Sequence, residues 1–236
     1  MEIQKKIISI VGIGLLIGTS NLYAVNKTAK SVLMNAYHYI DGLQNYSFDA
    51  IVVDKSINRG VVTDEYKHHV DVEVDRPNRL RVDIKGEFKN TTNYLNNGKF
   101  TMVDNELGYY GELKTPKDIN NALDFIFDKY GIKAPLATLI YTGMGKRAKF
   151  TKSRYFGTGL INGVECDYIA FRNGSREIHI WVATGEKPII KYYTEIDKFY
   201  KINTTIFWQD KLRISDSDFV FKASGSASKI SVESAK

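Results

Sequence analysis

The stretch VDVEVDRPNRLR, residues 70–81, decides the fold. Its first half alternates valines with acidic residues, and the alternation resumes with Leu80, Val82 and Ile84 among charged residues. In a strand, a period of two places apolar side chains on one face and charged side chains on the other. The stretch therefore predicts two adjacent strands of an antiparallel sheet with one apolar face and one face in water.

The same period continues on both sides of this stretch. Residues 46–52 alternate in the same way, and short β-type runs follow between residues 164 and 208. Asn-Gly pairs at 97–98 and 162–163 separate such runs, and this pair supplies the positive φ angles that tight hairpins require. The chain is therefore predicted to be mainly β, with a curved antiparallel meander of about ten strands.

Other segments have the three-and-four spacing of amphipathic helices. Residues 29–43 form one, and a second is expected to begin at Thr115-Pro116 and to carry an apolar stripe through Phe127. A shorter helix is expected over residues 136–140. Because these helices must bury their stripes, they are expected to pack on the concave side of the sheet. The expected class is α+β, with the N-terminal helix and an inserted helical lid covering the sheet.

The first 24 residues have the pattern of a signal peptide. Lys5 and Lys6 precede an apolar run over residues 7–17, and a small and polar stretch ends at Ala24. The run is shorter than the roughly 20 apolar residues that span a bilayer. We expect a periplasmic protein of Gram-negative type whose leader is cleaved near Ala24. Cleavage after Ser20 and an uncleaved anchor are the alternatives.

The remaining chain is expected to form one domain over residues 25–222, followed by a flexible C-terminal tail over residues 223–236 that is rich in Ser, Ala and Lys. Cys166 is the only cysteine, so the chain has no intramolecular disulfide and no acylated N-terminal cysteine. Without the leader the formal charge falls from +6 to +5, because two lysines and one glutamate are lost. Acidic and basic residues are interspersed, which argues against nucleic acid as a partner and is compatible with transient contact with anionic membranes.

Patterns typical of catalysis or metal binding are missing from the sequence. The four histidines, at positions 38, 68, 69 and 179, show no zinc-site spacing. The glycines and lysine of residues 143–147 do not have the spacing of a phosphate-binding P-loop, and no Gly-x-Ser-x-Gly nucleophile motif is present. The sequence therefore predicts no catalytic residue, no metal site and no cofactor.

The apolar residues offer the best candidate site. If the concave face of the sheet is larger than the helices that cover it, an apolar ligand cavity forms; if it is not, the same residues pack together as an ordinary core. Periodicity alone leaves both alternatives open. The candidate ligand-binding residues are Phe48, Val72, Val74, Leu80, Val82, Phe100, Met102, Leu123, Phe127, Leu136 and Leu139.

The order of several short motifs along the chain carries a family resemblance. After the N-terminal helix come Arg76-Pro77-Asn78, Asn97-Gly98-Lys99, Thr115-Pro116 and Ala134-Pro135-Leu136. This order resembles the LolA/LolB fold of periplasmic lipoprotein carriers. The chain is more closely similar to a group of predicted periplasmic proteins classed with that fold, through the pattern Gly-Val-x-Cys-x-x-x-Ala-Phe at residues 163–171 and an Ile-Trp pair at 180–181.

The resemblance implies an incomplete antiparallel barrel, with helices closing its mouth and an apolar cavity that accepts acyl chains. It also implies that Arg76, as a lid latch, hydrogen-bonds toward the lid and holds the empty cavity closed. The chain departs from the carriers at Leu80, where they usually have an aromatic residue. The resemblance therefore does not extend to lipoproteins as the specific cargo.

Three functions are compatible with these observations. The first is a non-enzymatic periplasmic carrier of a lipid, acyl chain or lipoprotein-like cargo, with a membrane-bound delivery or acceptor protein as a further partner. The second is a protein-protein interaction module that docks a partner at its sheet edge or lid. The third is a hydrolase without a recognisable motif.

Overall fold

The structure, a computed structural model, describes residues 27–209 and 214–235. The described residues hold twelve strands, three α-helices and two 3₁₀ turns. The strands are β1 (Asn45–Asn58), β2 (Val61–Asp75), β3 (Arg79–Gly86), β4 (Lys89–Asn96), β5 (Lys99–Asp104), β6 (Tyr109–Lys114), β7 (Lys152–Ile161), β8 (Val164–Asn173), β9 (Arg176–Ala183), β10 (Ile190–Ile196), β11 (Tyr200–Trp208) and β12 (Ser228–Lys229). The helices are α1 (Ala29–Asp41), α2 (Ile119–Tyr130) and α3 (Met144–Arg147), and the 3₁₀ turns are Ala137–Leu139 and Asp216–Phe219.

All twelve strands belong to one curved sheet that does not close. Their spatial order is β12-β6-β5-β4-β3-β2-β1-β11-β10-β9-β8-β7. Neighbours are antiparallel except β12, which pairs parallel to β6. Two meanders, β1–β6 and β7–β11, are joined where β1 pairs with β11. The predicted fold class, a curved antiparallel sheet forming an incomplete barrel with helices on it, is confirmed.

The alternation that predicted the strands also defines the two faces of the sheet. Val70, Val72 and Val74 are buried, and the intervening acidic residues Asp71 and Glu73 are more exposed. The valines and the buried residues of α1 and α2 belong to one apolar cluster, so the helices pack on the face that bears the valines. We call this face the inner face. The core of the protein therefore lies between the inner face and the helices.

Helix α1 forms where the spacing predicts it. It ends at Asp41, two residues before the predicted end at residue 43, and Gly42 is its C-cap. At the other end, Thr28 and Ser31 satisfy each other's backbone N–H groups in a capping box. No helix in the described residues has the length and apolar character needed to cross a bilayer.

Helix α2 begins three residues after the predicted Thr115-Pro116 start. The N–H of Thr115 donates to the carbonyl of Gly98 at 2.9 Å, which keeps this residue beside the sheet. Asp118 caps the helix instead, since its side chain accepts from Asn121 N–H at 3.0 Å. The helix predicted over residues 136–140 is a single 3₁₀ turn, Ala137–Leu139.

The Asn97-Gly98 pair forms the predicted tight turn between β4 and β5. The φ angles of these residues are +50° and +86°, both in the left-handed region. A Cβ atom added at Gly98 would lie 2.9 Å from the backbone oxygen of Thr115, so the position requires glycine for space as well as for conformation.

The C-terminal residues pack on the outer face and along one edge of the sheet. Phe219 is buried beneath the guanidinium of Arg79, and the ring of Phe221 lies 4.9 Å from that of Tyr110. Beyond residue 222, where composition predicts a flexible tail, β12 pairs with β6, and the N–H of Ala235 donates to the carbonyl of Lys129. The predicted signal peptide, residues 1–24, lies outside the described residues.

Candidate functional site

The helices do not cover the inner face completely. A cavity of about 1050 Å³ lies between residues 133–138, which follow α2, and the ends of strands β1, β2, β10 and β11. We call it the main cavity. Sites for small molecules usually measure about 300–1,000 Å³, so this volume lies slightly above that range.

Apolar side chains from both meanders form the wall of the main cavity. Val52 of β1 lies opposite Thr204 of β11, and on its other side it lies opposite His68 of β2. Ile84 and Ile202 line the cavity on either side of this group. Because β1 pairs with both β2 and β11, the wall is continuous across the junction of the two meanders.

Four of the titratable side chains that line the main cavity contact one another in two pairs. Arg176 forms an ion pair with Glu195, and Nδ1 of His68 lies 3.4 Å from a carboxylate oxygen of Asp54. Burial lowers the pKa of His68, although the charge of Asp54 opposes this shift. His68 is therefore mainly neutral at pH 7, and the imidazole does not balance the negative charge of Asp54.

A smaller cavity of about 320 Å³, the second cavity, adjoins the first. The two share Thr138, Arg176, Tyr193 and Glu195 in their linings. The other walls of the second cavity are mainly apolar side chains. They are Tyr37, Met144, Phe150, Phe171, Ile178, Ile180 and Ile190.

The eleven predicted ligand-binding residues lie mostly in the packed core. Leu136 lines the main cavity, and Met102 is partly buried against the core. Phe127 is 48% exposed on α2, one position beyond the buried stripe of that helix. The other eight are buried in the apolar cluster, and their part in ligand binding stays a prediction. They are Phe48, Val72, Val74, Leu80, Val82, Phe100, Leu123 and Leu139.

Arg76, the predicted lid latch, connects α1 to the residues after α2. Its Nε donates to the carbonyl of Leu43 at 3.0 Å, and its Nη2 donates to the hydroxyl of Tyr46 at 2.9 Å. That hydroxyl donates in turn to the carbonyl of Leu139 at 2.7 Å. The geometry is suited to a latch; that it holds the lid closed stays a prediction.

Tyr46 also makes the stability of the folded protein depend on pH. Burial raises the pKa of Tyr46 to about 12, with Arg76 opposing the shift. In the unfolded chain the hydroxyl ionises near pH 10, so above that pH the unfolded state loses a proton that the folded state keeps. Stability is therefore expected to fall from about pH 10 to about pH 12, and urea unfolding across this range measures the fall. Tyr46→Phe should make the fall shallower by the share of one tyrosine, because burial also raises the pKa of Tyr37, and an equally steep fall in that variant would contradict the assignment.

Several cavity residues were missing from the sequence prediction. Strands β9 and β10 alternate with a period of two, so the face shared by Arg176, Tyr193 and Glu195 was predictable from the sequence. Their position beside Val52 depends on the pairing of β1 with β11, and no local signal in the sequence specifies that pairing.

Metal-binding side chains do not cluster in the part of the chain that the structure describes. No group of three His, Cys, Asp or Glu side chains is arranged there to hold a metal ion. Cys166 is buried, and burial raises the pKa of its thiol, which disfavours the reactive thiolate.

A sequence model of the family described as "Predicted periplasmic protein (DUF2092)" matches residues 29–233. The chain belongs to the DUF2092 family. This membership confirms the predicted periplasmic compartment and the resemblance to a group of predicted periplasmic proteins. Among curated protein sequences, none matches the chain.

Solved structures similar to this DUF2092 chain include two mycobacterial proteins. LprF from Mycobacterium bovis has 13% sequence identity and a TM-score of 0.47, over 80% of this chain and 96% of LprF. The lipoprotein LppX from Mycobacterium tuberculosis has 12% identity and a TM-score of 0.48, over 79% of this chain and 98% of LppX. A LolA superfamily protein from Nitrosomonas europaea has 10% identity and a TM-score of 0.40, over 83% and 98% of the two chains. These likenesses concern the fold alone.

Proposed function

We propose that the protein is a non-enzymatic periplasmic carrier that holds a lipid or another acylated ligand in the main and second cavities. The observation that supports the proposal is the pair of adjoining cavities on the inner face, with a combined lining in which apolar side chains predominate. Burial of hydrocarbon contributes about 0.8 kcal/mol per methylene group, so such a lining favours acyl chains over polar ligands.

The polar groups of the cavities support a binding role rather than catalysis. Arg176 and Glu195 pair with each other, and His68 has its pKa lowered mainly by burial. A binding site of this kind needs a few polar groups that orient the ligand and no activated nucleophile. Neither a cofactor nor a metal enters the proposal.

Exchange of the ligand requires a donor and an acceptor. A membrane, or a membrane-bound delivery or acceptor protein, would supply both. The formal charge of +5 without the leader favours transient approach to anionic membrane surfaces. Nucleic acid has no place in this proposal.

Native mass spectrometry of protein purified from its own periplasm tests the function directly. We expect a mass increment that organic extraction removes and that lipid analysis identifies as an acylated molecule. Protein that carries no such molecule and that fails to bind a fluorescent fatty acid would contradict the proposal.

A second candidate function is docking of a protein partner at the sheet edge. Within the described residues the outer edge of β7 has no partner strand, and Phe156 and Leu160 on this strand are 45% and 72% exposed. An extended partner segment can add to such an edge. A polypeptide in place of a lipid in the same mass spectrum would favour this function.

A further inference from the structure

Large apolar side chains are exposed at one end of the sheet, beside the main cavity. Val61 and Val62 follow the β1–β2 turn, Phe88 occupies the β3–β4 turn, and Phe199 occupies the β10–β11 turn. Their exposed fractions are 65%, 50%, 73% and 62%. Tyr66, 41% exposed, completes the set, which we call the mouth rim. Single exposed apolar residues are common on soluble proteins, but a cluster of this kind marks an interaction surface.

One ring contact and one backbone hydrogen bond connect parts of this set. The ring of Phe88 lies 5.3 Å from that of Tyr66 in an edge-to-face contact. The carbonyl of Phe199 accepts a hydrogen bond from Ile57 N–H at 2.7 Å, and Ile57 pairs with Val62. Tyr66 and Phe88 also line the main cavity. Two members of the mouth rim therefore border the main cavity.

A basic side chain accompanies each of the three turns. Arg59 lies in the β1–β2 turn, Lys89 follows Phe88, and Lys198 precedes Phe199. The ammonium group of Lys198 lies 4.4 Å from the centre of the Phe199 ring. Acidic residues are present at this end too, with Glu87 beside Phe88 and Asp197 beside Lys198. Apolar tips flanked by cations match a bilayer surface with anionic headgroups, into which the tips insert while the cations stay at headgroup depth.

We propose that the mouth rim docks the protein on an anionic lipid bilayer, with the opening of the main cavity facing the membrane. Phe88, Phe199 and Val61 insert between headgroups, and Arg59, Lys89 and Lys198 contact lipid phosphates. Docking in this orientation shortens the path of an apolar ligand between the bilayer and the cavity.

Vesicle flotation with the full mature chain tests the proposal. We expect binding to vesicles of phosphatidylethanolamine mixed with phosphatidylglycerol, and at least about tenfold weaker binding to vesicles of phosphatidylcholine alone. The triple variant Val61→Ser, Phe88→Ser, Phe199→Ser should lose binding about tenfold or more. The matched control is Leu160→Ser, Val164→Ser, Ile230→Ser, which removes exposed apolar side chains elsewhere on the sheet and should bind as the wild type does.

A second measurement does not depend on the folding of the triple variant. Phe88→Trp places an indole at the rim, and quenching by brominated lipid should affect this indole and spare the native Trp181 and Trp208. Arg59→Gln, Lys89→Gln, Lys198→Gln should abolish the preference for anionic vesicles.

Three results would overturn the proposal. They are equal binding of the rim variant and the wild type, an unquenched indole at position 88, and binding to native membranes but not to protein-free vesicles. The last result would identify a membrane protein as the occupant. Ligand binding in solution, measured separately by calorimetry, should be unchanged in Arg59→Gln, Lys198→Gln, which alters the lining of neither cavity, so failure of membrane docking leaves the carrier function standing.

Discussion

Replacing Ile202 with tryptophan is expected to weaken binding of an acyl ligand by at least about tenfold, because the indole fills space that the hydrocarbon chain needs. Ile202 lines the main cavity from β11 and is partly buried against the core. The indole can extend into the cavity, which contains no protein atoms at this point. It therefore occupies the volume of the ligand and does not displace other core residues. The fold should therefore survive the substitution.

Calorimetric titration with a fatty acid measures the effect, and Ile196→Trp is its matched control. Ile196 lies one strand away on β10 and pairs with Lys201 on the outer face, where an indole adds the same volume outside the cavity. A third variant, Met102→Lys, tests the part of the inner face that the sequence predicts as the site. Loss of affinity in Met102→Lys, together with unchanged affinity in Ile202→Trp, would move the ligand to that part of the inner face and contradict the cavity assignment.

Replacing Arg76 with leucine is expected to loosen the residues that cover the inner face. The substitution removes the hydrogen bonds to Leu43 and Tyr46, and bonds to a charged donor contribute about 1.5–3 kcal/mol each. Tyr46 then loses the partner that fixes its hydroxyl under Leu139. We expect faster hydrogen exchange over residues 119–140, a lower free energy of unfolding and faster release of ligand.

Two further variants separate the latch from general destabilisation. Tyr46→Phe removes the bond from Arg76 and the bond to Leu139 but keeps the bond from Arg76 to Leu43, so the increase in exchange should be smaller than in Arg76→Leu and centred on the 3₁₀ turn. Arg154→Leu removes an exposed guanidinium that lies over Phe156, away from the bonds that Arg76 makes, and exchange over residues 119–140 should not change. If Arg76→Leu exchanges as the wild type does in that segment, Arg76 is only a surface charge.

Local patterns in the sequence were sufficient to predict the strands and most of the helical regions. The alternation through Val70, Val72 and Val74 fixes a strand and its faces without reference to the rest of the chain, and the Asn97-Gly98 pair fixes a turn. The start of α2 was not predictable in this way. Thr115-Pro116 has the chemistry of a helix start, but the hydrogen bond from Thr115 to Gly98 holds it at the sheet, so the helix begins after Asp118.

The candidate site was less predictable than the fold. The period of two correctly assigned Phe48, Val82 and Phe100 to the apolar face, but it does not tell which part of that face the helices cover. That depends on where α1 and α2 dock and on how far the sheet curves. The open part lies around Val52 and Ile202, which come from strands about 150 residues apart in sequence.

The pairing of β1 with β11 also has a consequence for the order of events during folding. Every other antiparallel pair joins strands that are consecutive in the chain, so these hairpins close over short loops. The β1–β11 pair must instead close a loop of most of the chain, and contacts of such high sequence separation form slowly. Since the wall of the main cavity requires this pair, a chain emerging N-terminus first from the export channel has no cavity until β11 has emerged. The protein can therefore capture a ligand only when translocation of its own chain is almost complete.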